Sequence, residues 1–340
     1  MNYAFALAAA LLFALSVPAG KILLAHLRPL ELSALCYLGS GLGLAAWRAL
    51  RGGGGEAPLG RVDLPYAAGF VLAGGVLAPL MLFSGLRLTA SSSASMLLNF
   101  ELVFTALIAV LFFGEHGGRR LWTAAVLICS GAALLSWEGG TLAFGWGPAL
   151  VLGSSLMWAV DNNFTAKISI KDPVTIAVMK GLAGGLINAA LAFYAYRSLP
   201  PAGWAALALL VGFFSYGVSL VLFILAMRGL GASRAGAFFG TYPFIGAALG
   251  VMLLGDPFTV RLAGAGVLML AAFWLLASES HSHRHRHEPL DHDHAHDHAD
   301  GHHGHVHAGP VSGPHSHPHL HEASEHEHPH SPDAHHRHAH

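Results

Sequence analysis

Four ionisable side chains lie deep inside apolar runs of this chain: Lys21, Glu101, Asp161 and Lys180. A charge at the centre of a bilayer costs about 2.5–3.5 kcal/mol on insertion scales, so each marks a candidate for function. Asp161 opens Asp161-Asn162-Asn163-Phe164-Thr165, whose polar side chains span more than half a helical turn, and lipid does not tolerate such a segment all round. Lys180 is followed by Gly184 and Asn188 at i+4 and i+8, one small and polar face. Two chemistries are open. Asp161 and Lys180 form a buried pair that orients two helices, or Asp161, Asn162 and Asn163 line a cargo path that Lys180 tunes. Glu101 lies below a polar stripe of Ser91, Ser92, Ser95 and Asn99. A carboxylate shielded from water can exchange a proton near neutral pH, as a proton-coupled antiporter requires, and the alternative is a structural carboxylate bonded to a neighbouring helix. Lys21, three residues after Pro18, either meets an anionic group or snorkels to the outer interface.

A second chemistry is concentrated at the other end. Of 25 His, 23 lie in 281–340, in alternating runs with interspersed Asp and Glu. The first three runs are His281, His283, His285 and His287, then His292, His294, His296 and His298, then His302, His303, His305 and His307. Neutral imidazoles and carboxylates at many interchangeable spacings suit Zn, Ni, Co or Cu. The tract has too few apolar residues to bury and is predicted to be disordered. Imidazoles with an ordinary pKa of about 6.5 would also make it a sensor of mild acid. Cys36 and Cys129 sit in apolar runs without metal-ligand or disulfide spacing and are expected to pack in the core.

The elements that position these groups follow from the rest of the composition. Residues 1–280 are depleted in Asp, Glu, Lys and Arg, which is unlike a soluble domain. A helical crossing of the hydrocarbon layer takes about 20 apolar residues. Ten runs qualify, at about 3–24, 30–49, 65–86, 91–113, 121–138, 147–168, 174–196, 203–226, 234–254 and 259–277. Pro18, Pro79 and Pro243 are expected to kink their helices, and Gly74-Gly75 and Gly184-Gly185 to permit close helix contact. Placing the N-terminus inside puts eleven Lys or Arg on the inner side and only Arg28, Arg87, Arg197 and Arg261 on the outer, so both termini are predicted to be cytoplasmic.

The chain also repeats. A shift of 141 residues lays Arg87 on Arg228, Ser92 on Ser233, Leu102 on Pro243, Gly114 on Gly255 and Glu115 on Asp256. Near the start of each half, with small shifts in offset, Phe13-Ala14 falls on Trp158-Ala159 and Pro29 on Pro173. Five spans per copy is an odd number, so the copies must be inverted. That is a signature of secondary transporters, with the substrate site expected near the midplane between the halves.

The segment Leu98-Asn99-Phe100-Glu101-Leu102-Val103-Phe104, running on to Gly114-Glu115, resembles the fourth span of EamA-type members of the drug/metabolite transporter superfamily. Tyr242-Pro243-Phe244-Ile245, running on to Gly255-Asp256, resembles the same element in the second copy. The resemblance covers residues 1–280 and implies a general scaffold for exporting small metabolites. Two positions depart from the family pattern: Leu102 stands where Pro is usual, which predicts a less kinked fourth span, and Asp256 stands where Glu is usual.

Together these readings predict an all-α integral membrane protein of ten helices in two inverted five-helix repeats, 1–140 and 141–280, followed by a disordered His-rich tail, 281–340. The expected function is ion-gradient-driven export of small metabolites, not enzymatic catalysis, from a cell membrane, the inner membrane in a bacterium. Protons are the expected coupling ion. The lipid bilayer, a small-molecule substrate and divalent transition metals at the tail are the expected partners. No cofactor is required by the membrane body, no GxxxxGK[ST] loop suggests ATP coupling, and no basic stripe suggests nucleic acid. The alternatives are transition-metal export, with the tail delivering Ni, Co or Zn to Asp161, Asn162 and Glu101, or a metal-buffering or sensory membrane protein.

Overall fold

A computed structural model describes residues 2–51, 59–113, 119–135, 137–138, 141–142, 145–168, 171–230, 232–277, 281–286, 290–296, 315–321 and 325–330. Helices follow the apolar runs. The first run holds α1 (Asn2–Ala14) and α2 (Ser16–Leu23), interrupted at Leu15, where Pro18 supplies no N–H to the carbonyl four residues earlier. Next comes α3 (Pro29–Arg51). The third run is α4 (Leu64–Phe70), a π-helical segment (Val71–Leu77) and α5 (Ala78–Leu88). Then follow α6 (Ser91–Leu97), α7 (Phe100–Phe113), α8 (Arg119–Leu135), α9 (Trp146–Ile168) and α10 (Pro173–Tyr196). The eighth run is α11 (Ala202–Val211), a second π segment (Gly212–Val218) and α12 (Ser219–Leu230), and α13 (Ala232–Phe239), α14 (Tyr242–Leu254) and α15 (Val260–Ala277) complete the body.

Six helical stretches among the described residues are long and apolar enough to cross a bilayer: Tyr3–Leu23, Pro29–Leu50, Arg61–Leu88, Ser91–Phe112, Pro173–Tyr196 and Ala202–Met227. Large apolar side chains such as Leu111, Phe112, Val267 and Trp274 point outward, as a lipid-facing surface requires.

The internal repeat is visible in the backbone. The two π segments lie 141 residues apart, and both insert the same extra-wide turn. Helix α3 packs on the second π segment and α10 on the first, while α3 packs on α10 and α8 on α15, so equivalent elements meet across a pseudo-twofold axis. The interruption between α6 and α7 and the one between α13 and α14 fall within one residue of the same repeat position. The fourth run is therefore broken despite Leu102, contrary to the less kinked helix expected. Bonds from Glu101 N to Leu98 O (3.0 Å) and from Leu102 N to Asn99 O (3.2 Å) tighten this turn to an i−3 pattern.

Glycine sets the helix spacing where the sequence suggested it. A Cβ on Gly184 would lie 2.7 Å from Gly75 O, and one on Gly185 would lie 2.6 Å from the Leu38 backbone N. Cys36 is buried as expected, but Cys129 is exposed on α8. In lipid, an apolar run carries no inward-outward contrast, so its sequence does not say which side faces the core.

Short paired strands are described in parts of the His-rich tract. Strand β3 (His281–Arg286) pairs antiparallel with β6 (Glu325–His330), and β4 (Leu290–His296) with β5 (His315–His321); a third short pair joins β1 (Trp137–Glu138) and β2 (Thr141–Leu142). The register sets His283 opposite His328 and His294 opposite His317. The alternation of His with other residues has the period of two that a strand repeats. Such two-stranded ribbons are only marginally stable in water. His287, His298, His302, His303, His305 and His307 lie outside the described residues.

The loop ends are tied by a clamp around Asp172, which caps α10. Asp172 Oδ1 accepts from Val174 N (2.9 Å), and Oδ2 accepts from Thr175 Oγ1 (2.6 Å) and from the Arg48 guanidinium at the end of α3. Burial pushes this carboxyl up, but the Thr175 and Val174 bonds and the Arg48 charge outweigh it and hold the group below its ordinary range. A lowered carboxyl contributes stability above its unfolded pKa and loses it as pH falls through the folded value. Asp172→Ala is expected to cost about 0.5–2 kcal/mol in thermal unfolding at neutral pH. The gap between wild type and variant should close as pH drops below the ordinary Asp value of about 3.9.

Candidate functional site

Between the two halves lies a cavity of about 50 Å³, lined by Phe13, Tyr37, Ser40, Glu101, Trp158, Asp161, Asn162, Lys180, Ser215 and Tyr216 among others. Its charged groups come from α7, α9 and α10.

Helix α9 advances about 100° per residue, so Asp161, Asn162 and Asn163 cannot share one partner. Asp161 is buried and forms an ion pair through Oδ2 with Lys180 Nζ, itself buried on α10. The other oxygen, Oδ1, accepts from Thr165 Oγ1 (3.1 Å) one turn on. Space for this carboxylate exists because residue 74 has no side chain: a Cβ on Gly74 would overlap the Asp161 carboxylate. The Gly74 carbonyl, in the first π segment, accepts from the Tyr37 hydroxyl, and the Gly75 carbonyl accepts from Asn188 Nδ2 (3.2 Å). Polar side chains thus satisfy backbone groups where the helix widens, as the bilayer interior demands.

Asn162 turns toward α7 and donates from Nδ2 to Glu101 Oε1 (2.7 Å). Tyr242, the first residue of α14, donates its hydroxyl to Glu101 Oε2 (2.6 Å). Glu101 stands in the first turn of α7, just past the break, where the helix N-terminus favours negative charge. Tyr242 lies 141 residues beyond Glu101, so the two are repeat mates bonded to each other across the pseudo-twofold axis. Phe13 and Trp158, a second pair of mates, also touch, with ring centroids 5.4 Å apart.

The remaining sequence candidates serve other ends. Asn163 points away from the cavity and donates to Ala159 O (2.9 Å) and Thr105 O (3.2 Å). Asn99 sits at the α6–α7 break and donates to Met96 O (2.9 Å). Lys21 does not line the cavity: its Nζ donates to Leu86 O (2.7 Å) and Thr89 O (2.8 Å), closing the C-terminus of α5. A cation is well placed there, at the negative end of a helix. Tyr242, Tyr37 and the ring cluster carry no site signal of their own in the sequence, although the shift that aligns the halves lays Tyr242 on Glu101, and Gly74, expected at a close helix contact, admits the Asp161 carboxylate. No group of three or more His, Cys, Asp or Glu able to hold a metal occurs among the described residues.

The EamA-like transporter family model matches residues 1–137 and 145–278, one copy on each half. The chain belongs to the EamA-like transporter family. An uncharacterised transporter of Methanothermobacter thermautotrophicus is 29% identical over 293 residues, covering 81% of this chain and 85% of that protein. A solved protein crystal structure shares the fold at a TM-score of 0.60 and 19% identity, covering 82% of this chain and 98% of the other. This EamA-like protein is a multi-pass membrane transporter, and its family implies a small-molecule cargo.

The Asp161–Lys180 pair can be tested without knowing the cargo. Removing one partner of a buried pair strands a charge, at a cost of about 3–5 kcal/mol, whereas removing both does not. Lys180→Met is expected to lower the unfolding midpoint strongly in detergent, and Asp161→Asn combined with Lys180→Met to recover most of that loss.

Proposed function

We propose that this EamA-like transporter is a secondary carrier that exports small metabolites in exchange for protons across a cell membrane, with ten membrane crossings and both termini in the cytoplasm. The observation that carries the reading is Glu101. It is a buried carboxylate at the interface of the two halves, held by its repeat mate Tyr242 and by Asn162. Protonation of Glu101 would add a donor and weaken its acceptance of both bonds, so the Tyr242 link between the halves would weaken or reverse its direction. A carrier couples two solutes when a proton changes the balance between two arrangements of its halves. The Asp161–Lys180 pair keeps the second carboxylate compensated while that happens.

The tail is read as an accessory metal site. Its imidazoles suit Zn, Ni, Co or Cu, while the cavity wall offers oxygen ligands and aromatic rings instead of His or Cys. That contrast favours metabolite export over metal export.

The test uses everted vesicles energised with a pH gradient and reported by a pH-sensitive dye, challenged with a mixture of amino acids, amines and nucleosides. The full chain is expected to dissipate the gradient when cargo is added, and Glu101→Gln to lose that response. A Glu101→Gln carrier with the full response would move coupling to another residue. A chain ending at residue 280 is expected to keep the cargo response and to lose Ni binding; Ni-dependent dissipation that requires the tail would promote metal export.

A further inference from the structure

The polar stripe of Ser91, Ser92, Ser95 and Asn99 does not line the cavity, yet it is buried. It lies on α6 and at the α6–α7 break, and α6 packs on α14. A Cβ on Gly246 would lie 2.8 Å from Ser95 Oγ, and one on Gly250 would lie 2.8 Å from Ser92 N, so two glycines of α14 receive the stripe. Ser91 Oγ, Ser95 Oγ and Asn99 Oδ1 have no hydrogen-bond partner among the described residues, and each residue is at most 1% exposed. An unpaired buried oxygen is costly, so three of them along one seam call for a reason. The end of the seam is pinned. Asp256, just past α14, accepts from Ser92 N through Oδ2 (2.7 Å). Lys21, bonded to Leu86 O and Thr89 O at the α5–α6 turn, is within electrostatic reach of Asp256. Beneath this rim the bundle is packed: Val17, Phe83, Leu86 and Leu97 are buried, and a Cβ on Gly20 would lie 2.8 Å from the Phe83 ring.

The fourth run of the first copy is α6 with α7, and its mate in the second copy is α13 with α14. These mates touch along α6 and α14, whereas α7 turns to α9, and α13 to α1 and α12. A pair of related elements closed at one end and parted at the other has a second arrangement in which the ends exchange roles. We infer that the α6–α14 seam is the second mouth of the carrier, lined by Ser91, Ser95 and Asn99 when it opens and held shut by Asp256 and Lys21. This rests on the chain being a carrier, as proposed above. With both termini cytoplasmic, the mouth is the outer one. Opening gives the three oxygens water, which offsets the bond that Asp256 loses and keeps the two arrangements close in free energy. The lining offers hydroxyls and an amide without a fixed charge, so it solvates a passing solute without holding it.

Disulfide cross-linking tests the mouth. In a full chain with Cys36 and Cys129 replaced by Ala, Ser95→Cys is combined with Gly246→Cys. The two Cβ atoms would stand 3.3 Å apart across the seam, close to the disulfide spacing of about 3.5–4.5 Å. Oxidation is expected to abolish the cargo-driven dissipation of the pH gradient in vesicles, and reductant to restore it. A cross-linked chain with the full response would overturn the mouth and leave the carrier reading standing, whereas no response from the unmodified chain would take both down. Labelling tests the latch without calling on transport. Ser91→Cys in the same Cys-free background is expected to react slowly with a membrane-impermeant maleimide, and from one face of the vesicle only. Asp256→Asn should speed that reaction by about tenfold, because loss of a charge-assisted bond shifts the balance toward the open mouth. Lys21→Met should speed it severalfold. Labelling that neither substitution changes, or that is equally fast from both faces, would overturn the latch.

Discussion

A charge inside the bilayer must find its compensation within the protein, and much of this fold is arranged around that constraint. Asp161 and Lys180 compensate each other between α9 and α10, and the arrangement reaches further than two side chains. Gly74 must lack a side chain to admit the carboxylate, the π segment that carries Gly74 must have its carbonyls bonded by Tyr37 and Asn188, and Asn188 in turn bonds Ser33 Oγ at 2.7 Å. A single buried pair thereby ties four helical runs into one unit. Glu101 is the exception: its hydrogen-bond partners are neutral.

Duplication explains why Glu101 lies where it does. Residues at equivalent positions of two copies can meet only near the axis that relates them. Glu101 and Tyr242 meet there, as do Phe13 and Trp158. Widened turns at Val71–Leu77 and Gly212–Val218 stand at the same repeat position. A wide turn has weaker backbone constraints than a regular α-helix, so it is a natural place for each half to bend. The two copies have since diverged in chemistry: one presents a carboxylate, the other a phenol, and the bond between them needs both.

The large features were legible because apolar runs, charge at loop ends and the 141-residue shift are all linear signals. Buried charges announce themselves in the same way, and Asp161, Lys180, Glu101 and Asn162 do converge on one cavity. Direction within a helix is harder to read. Asn163 follows Asn162 by one residue and turns to a carbonyl of α7 instead, and Lys21 closes a helix end 65 residues away. Aromatic residues such as Trp158 and Tyr242 were hidden because a ring in an apolar run looks the same whether it faces lipid or cavity. Cys129 was misassigned for that reason too.

Access to the cavity from both sides of the membrane is the central claim, and labelling tests it most directly. Ser40→Cys and Ser215→Cys, each in a chain with Cys36 and Cys129 replaced by Ala, place a thiol on cavity-lining positions from the two halves. A membrane-impermeant maleimide is applied to right-side-out and to everted vesicles, under pH gradients of either sign. The account predicts that each thiol reacts from both sides, with the favoured side changing when the gradient is reversed. Reaction from one side only, under every gradient, would contradict it.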